Sequence, residues 1–237
     1  FEKPIESQIP DVFEKVGALV ESPALYLHLS GYDNVKYIAL LRQVPLSKID
    51  EVLELVDLTA FIRQKAKQYS LGMKQRLAIA MALLSEPELL FLDEPVNGLD
   101  PNGIVEIRKL LVKINKEKGV TIFVSSHLLS EIEKMCTHIG IISKGTLKYE
   151  GTMEDLSRKF ETCKIQITLD DAENWKEKLS FKYANVVLDE QNKITMNLSH
   201  TSEIPDFAKQ IIQEGARIYE IKILEGLEEW FMNLTEK

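Results

Sequence analysis

The chain has 237 residues, a net charge of −8, 45% apolar and 28% charged residues. That is the composition of an ordinary globular protein with enough apolar surface for a real core, and it argues against a protein whose affinity rests on neutralising nucleic-acid phosphates with Lys and Arg. No apolar run approaches the roughly 20 residues needed to cross a bilayer, so any service to a membrane requires a separate membrane partner. Cys136 and Cys163 are far apart with no C-x-x-C spacing. They are read as thiols in a reducing compartment, not as a disulfide. The opening Phe1-Glu2-Lys3-Pro4 is neither an initiator Met nor a basic-then-apolar leader, and a cut start is expected.

In chain order, Val16 to Val20 is expected to form a short strand. Asp33 is a candidate cap for a helix through Tyr37 and Leu41. Ile49, Val52, Leu53 and Val56 lie at i, i+3, i+4 and i+7, one face of an amphipathic helix, and Leu77, Ala80, Met81 and Leu84 repeat the spacing. Leu89 to Leu92 is a continuous apolar run of strand length, as in a parallel strand covered on both faces. Ile107, Leu110, Leu111 and Ile114 mark the next helix, with Gly119 as a cap after it. Val120 to Val124 is a second buried strand, and a helix over 128–135 leads to a strand at Ile139 to Ile142. Such alternation predicts an α/β fold with a parallel sheet.

Lys144-Gly145 separates Ile142 from Thr146 to Tyr149, a hairpin at the sheet's edge, and a short helix over 153–160 follows. The pattern then changes, with a boundary near Glu161. Lys164 to Leu169, Lys193 to Leu198 and Arg217 to Ile223 alternate polar and apolar residues. Ala208, Ile211 and Ile212 share a helical face, and Leu227, Trp230, Phe231 and Leu234 form a closing stripe. Residues 162–237 are therefore expected to be a small α+β appendage with a half-exposed sheet.

Four segments carry chemistry. Leu89 to Leu92 ends in Asp93-Glu94-Pro95. Ligands of α/β sheets sit beyond the carboxyl ends of strands, where one carboxylate can hold Mg²⁺ and a second can orient a water. A solvated turn is the plain alternative. Upstream, Ser70 precedes an apolar helix and Gly72 allows close backbone approach, a natural anion site or simply a capped helix. Asn97-Gly98-Leu99-Asp100-Pro101 is a turn into a helix start. Ser125-Ser126-His127 follows the next strand, where a His can bond a phosphate or a water. His28, His138 and His200 are read as structural.

In this order and spacing the segments resemble the nucleotide-binding subunit of ABC transporters, over about residues 12–160. Ser70-Leu71-Gly72-Met73 sits where the family's LSGGQ signature belongs. Asp93 and Glu94 resemble the Walker B magnesium Asp and the catalytic Glu, Asn97 to Asp100 the D-loop, His127 the switch histidine, and Val16 to Pro23 the Q-loop segment with Glu21 in place of its Gln. Tyr69, Leu71 and Met73 depart from the family's Leu, Gly and Gln. These variants and the Leu227 to Phe231 ending are similar to a bacterial subfamily handling bacitracin and lantibiotic-like peptides. The resemblance implies a P-loop-type ABC ATPase core with a parallel sheet and a helical subdomain over 1–161. It implies Glu94 and His127 as catalytic, Asp93 on Mg²⁺, and Ser70, Gly72, Asp100 and Glu21 toward ATP. Partners would be a membrane-spanning permease and a second ATP-binding subunit, expected to be a copy of the chain, with no nucleic acid, on the cytoplasmic face of the membrane. No G-x-x-x-x-G-K-[ST] occurs, so the loop that cradles the phosphates is expected in a missing front segment, and a non-catalytic partner subunit is the alternative.

Overall fold

The computed structural model describes residues 4–159, 163–224 and 226–235. The expected boundary at Glu161, the end of the short helix at Phe160 and the opening Phe1 to Lys3 lie outside them. The chain divides into two compact units, residues 1–128 and 129–237.

The first unit is built on three parallel strands, β1 (Val16–Leu19), β2 (Leu89–Asp93) and β3 (Thr121–Ser125), in that spatial order. Its helices are α1 (Gly31–Leu41), α2 (Ser47–Leu55), α3 (Leu71–Leu83) and α4 (Pro101–Lys118). Helices α1, α2 and α3 pack on one another, α3 packs on β1, and α4 packs on β3. Because strand side chains alternate faces, Leu19, Leu90 and Leu92 point into this layer and are buried. Gly17 lets β1 approach α3, since a Cβ there would lie 2.3 Å from the carbonyl oxygen of Ala82. The predicted stripes are core: Ile49, Leu53, Val56, Leu77, Leu84, Ile107 and Ile114 are at most 1% exposed.

The predicted burial of β2 on both faces is not met within this unit. Ala18, Phe91 and Phe123 are in register across the sheet, and Phe91 and Phe123 are 39% and 60% exposed, with ring centroids 5.3 Å apart. The cap of α1 also differs from expectation. Ser30, not Asp33, is the N-cap: its hydroxyl oxygen accepts from the Asp33 N–H at 3.0 Å and donates to the Asp33 carboxylate. Asp33 lies inside the first turn, where a carboxylate suits the helix dipole. Gly119 ends α4 with φ 68°, as expected.

The second unit begins with α5 (Leu129–Met135) and the hairpin β4 (His138–Ser143) and β5 (Thr146–Thr152). Lys144 and Gly145 form its turn, both with positive φ. The hairpin is a separate two-stranded sheet, not an edge of the parallel sheet, because its antiparallel pair takes no partner from β1 to β3. After α6 (Met153–Lys159) come β6 (Cys163–Leu169), α7 (Ala172–Ser180), β7 (Val187–Leu188), β8 (Lys193–Leu198), α8 (Ile204–Gln213), β9 (Ile218–Ile223) and α9 (Leu227–Thr235). The sheet order β7-β8-β6-β9, all antiparallel, is the split βαββαβ arrangement of a ferredoxin-like fold.

Alternation in β6 and β8 puts Cys163, Ile165, Ile167, Ile194 and Met196 in its core, under Trp175 and Leu179 of α7 and Phe207 and Ile211 of α8. Helix α7 and strand β7 were not foreseen, because their apolar positions are sparse among Glu, Lys and Asn. Ile212 does not share the buried face of Ile211: it is 55% exposed. Helix α9 returns to pack against α5 and β5.

Candidate functional site

Every site residue foreseen from the sequence lies in the first unit, and most fall into two groups joined by one turn. The first group is at the carboxyl end of the sheet. Strand β2 delivers Asp93 and then Glu94, whose φ of 48° turns the chain sharply. That left-handed conformation is uncommon for a residue with a Cβ and must be held by its surroundings. The Glu94 N–H donates to the Ser125 carbonyl at 3.1 Å and lies 3.2 Å from the Ser125 hydroxyl oxygen. The Ser125 hydroxyl donates to Asp93 Oδ1 at 2.5 Å.

His127 Nδ1 lies 2.9 Å from Glu94 Oε2. When the carboxylate is ionised it only accepts, and Nδ1 is the donor of that bond. The His127 side chain is 63% exposed and that of Glu94 29%. The pair therefore faces solvent with the carboxylate already oriented. The structure thus brings His127 onto Glu94, next in the chain to Asp93.

The second group lines a groove of about 390 Å³ between the start of α3 and the turn leading into α4. Ser70 N-caps α3, its oxygen accepting from the Met73 N–H at 3.2 Å, and Asp100 N-caps α4, accepting from the Gly103 N–H at 3.2 Å. Both caps are spent on their own helices, the ordinary work of such residues. Gly72 has room: a Cβ there would meet nothing nearer than Leu99 Cδ2 at 3.9 Å. Within this chain, nothing requires glycine at that position. Residues 94–100 bridge the groups through tight turns, with Asn97 N–H to Glu94 O at 3.0 Å and Leu99 N–H to Val96 O at 3.3 Å. Glu21 belongs to neither group; it is exposed, with φ 57°, just beyond β1.

Three residues went unassigned in the sequence. Ser125 ties Asp93 to Glu94, and a hydroxyl at a strand end was the only signal. Arg76 anchors the groove: it donates to Val56 O at 3.0 Å and pairs with Asp57 at 3.3 Å and Glu106 at 2.9 Å, with its side chain 14% exposed. A cation directly before an apolar helical stripe was its signal. Tyr69, where the resemblance implies a Leu, donates its hydroxyl to Phe61 O at 2.8 Å and is 4% exposed; burial pushes its ionisation up. Room for that hydroxyl comes from Gly31, where a Cβ would sit 2.2 Å from it.

Among the described residues, no three His, Cys, Asp or Glu side chains group to cage a metal. A single strand-end carboxylate nevertheless fits Mg²⁺, which takes one or two carboxylates and draws its other ligands from phosphate and water.

Comparison with known proteins gives a consistent result. A family model described as "ABC transporter" matches residues 2–97. An uncharacterized ABC transporter ATP-binding protein, YhcH of Bacillus subtilis (strain 168), is 40% identical over 234 residues, covering 98% of this chain and 75% of that protein. The bacitracin transport ATP-binding protein BcrA of Enterococcus faecalis is 47% identical over 155 residues, 65% of this chain and 50% of its own length. The lantibiotic transport ATP-binding protein SrtF of Streptococcus pyogenes is 45% identical over 150 residues, 62% of this chain and 65% of that protein. The chain thus spans between half and three quarters of the length of these relatives. Among solved structures, cbiO1 from Clostridium perfringens, described as part of the ABC transporter complex cbiONQ, matches with a TM-score of 0.57 and 30% identity over 65% of this chain and 66% of that one.

Proposed function

Since the chain belongs to the family of ABC transporter ATP-binding proteins, we propose that it works as the ATP-hydrolysing subunit of an exporter, with its water-activating group at Glu94. The observation that carries this reading is the Glu94–His127 contact at 2.9 Å beside Asp93, at the carboxyl end of a parallel strand. Glu94 would accept the proton of the attacking water. His127 holds that carboxylate in place through Nδ1, and its other ring nitrogen would bond a phosphate oxygen when the ring is protonated and both nitrogens donate. Asp93 would hold Mg²⁺ through water, the ion supplying charge neutralisation at the phosphates. A general base at this position is worth about 10²- to 10⁴-fold in rate.

Ser70 and Gly72 would serve an ATP bound by a second copy of the subunit. The space at Gly72, which no neighbour in this chain fills, supports a requirement that comes from outside it. Asp100 and Glu21 would also face bound ATP, Glu21 from the Q-loop position. The uncovered Ala18-Phe91-Phe123 row supports a further layer on the sheet, because parallel sheets are covered on both faces. We assign the phosphate cradle to that layer, in a front segment of the whole protein. Residues 1–161 would be the partial ATPase domain and 162–237 the accessory domain.

No helix among the described residues is long and apolar enough to cross a membrane. A separate permease would supply the spans, with the subunit on the inner face of the membrane. The exposed Tyr26, Leu27, Tyr37, Leu40 and Leu41 beside β1 and on α1 offer it an apolar docking surface. The bacitracin and lantibiotic transport relatives support an antimicrobial peptide as cargo.

The test is Glu94→Gln in the whole reading frame. ATP hydrolysis should fall by about 10²- to 10⁴-fold while ATP binding persists. Turnover within about threefold of the parent would remove Glu94 from this role and favour a non-catalytic partner subunit.

A further inference from the structure

The two serines before His127 do different work. Ser126 makes a local bond, its oxygen accepting from the Leu128 N–H at 3.1 Å. Ser125 reaches across the sheet. It stands directly opposite Asp93 in the β2–β3 register, so its side chain and that of Asp93 emerge on the same face at the same level. Its single hydroxyl proton goes to Asp93 Oδ1 at 2.5 Å, and its lone pairs lie 3.2 Å from the Glu94 N–H, which also donates to the Ser125 carbonyl at 3.1 Å. One residue thus holds both the carboxylate before the turn and the backbone of the carboxylate in it.

We infer that Ser125 is the positioning residue of this site, fixing Asp93 and Glu94 relative to one another before any nucleotide arrives. The need for it is visible in the backbone. Glu94 has φ 48°, a conformation that a side chain disfavours and that a turn does not keep unless neighbours over-determine it. The same φ aims the Glu94 side chain at His127 Nδ1. Loss of the Ser125 hydroxyl would leave Asp93 Oδ1 without its donor and the Glu94 peptide with one acceptor where it has two. Asp93 would then turn about its χ angles, and the oxygen left for a cation would no longer be fixed. Ser125 touches neither the water nor the phosphate; it acts through the two acids. The inference rests on the reading of Asp93 and Glu94 proposed above.

The experiment uses the full-length protein with Ser125→Ala, Ser125→Thr, which keeps the hydroxyl, and Ser126→Ala. The first measurement needs no nucleotide: hydrogen exchange of the Glu94 amide. Ser125→Ala should speed it by about tenfold or more through loss of local protection, while Ser125→Thr and Ser126→Ala leave it within about twofold on the same scale. The second is hydrolysis. Ser125→Ala should lower kcat by about 10- to 100-fold, the scale of a misplaced catalytic group, raise the Mg²⁺ concentration at half-maximal rate and leave the KM for ATP nearly unchanged. Ser125→Thr should restore both kcat and the Mg²⁺ requirement. Unchanged exchange at Glu94 in Ser125→Ala overturns the inference, and so does a kcat loss that Ser125→Thr fails to recover at equal thermal stability. If Glu94→Gln hydrolyses ATP as fast as the parent, the functional reading has failed instead, and the exchange result alone decides whether Ser125 holds the turn.

Discussion

The strand-end turn and the groove at the start of α3 lie at opposite ends of residues 94–100, and they are held in opposite ways. At the turn, the groups to which we assign a chemical role are bonded to their neighbours: Asp93 to Ser125, Glu94 to His127, and the Glu94 peptide to β3. In the groove, among the described residues, the Ser70 and Asp100 side chains bond their own helix starts, and Gly72 faces space. The turn is preorganised by this chain alone. The groove is a built surface with nothing of its own to act on, and its use depends on something that enters it.

The sharpest way to break this contrast is to fill the groove. Gly72→Trp should leave the protein folded and still able to take up ATP at its own cradle, yet weaken an ATP-driven dimer on the order of 10²-fold, the scale of a lost interface hot spot. The comparison is made by size measurement with ATP in a Glu94→Gln background. A dimer that persists unchanged would reduce the groove to a pair of capped helices.

Glycine substitutions test the same contrast through stability. Gly17→Ala drives a methyl group into the Ala82 carbonyl and should cost about 1–3 kcal/mol, as overpacking does. Thermal melting should register it. The matched Gly72→Ala change should leave the melting temperature nearly where it was, because no atom lies within 3.9 Å of the added Cβ. Equal losses at both positions would mean that the groove is more tightly packed than its geometry states.

The smallest effect concerns the departure at Tyr69. Tyr69→Phe removes the hydroxyl bond to Phe61 O while that carbonyl keeps the Gln64 N–H at 2.9 Å, so the expected loss is about 1 kcal/mol. Denaturant unfolding resolves such a change. A loss several times larger would make the Tyr69–Gly31 fit a central support of the groove.

Much of this was legible in the sequence where one physical rule dominated. Period-2 and period-3.6 stripes identified β6, β8, α2, α3 and α4, since burial on one face leaves little choice of element. Asp93 and Glu94 stood out because they close an apolar strand run at its carboxyl end, where α/β ligands bind, in order and spacing with three other segments. Less visible were contacts between segments far apart in the chain. Ser125 bonds across the sheet to Asp93, and Arg76 bonds to Asp57 and Glu106; neither partner is local, so neither leaves a periodic trace. The cap of α1, expected at Asp33, was misplaced for a related reason. Ser30 and Asp33 both suit a helix start, and only the backbone turn assigns the cap to Ser30. Helix α7 has too few apolar residues to stand out, but Ala172, Trp175 and Leu179 suffice to close a small core.

The ferredoxin-like sheet has a further consequence for how this protein can change over time. Strands β6 and β9 are its first and last, and they are neighbours: Ile165 faces Ile223. The chain therefore enters and leaves at one place, between α6 and α9, and α9 goes back to rest on α5 and β5. A segment whose two ends meet behaves as a plug-in part. It can be removed and the gap closed with a short linker, or exchanged for another fold with adjacent termini, without rerouting the chain around it. Evolution and protein engineering have the same handle here: the module between α6 and α9 can be traded in a single genetic step, while the acidic turn and its groove are inherited intact.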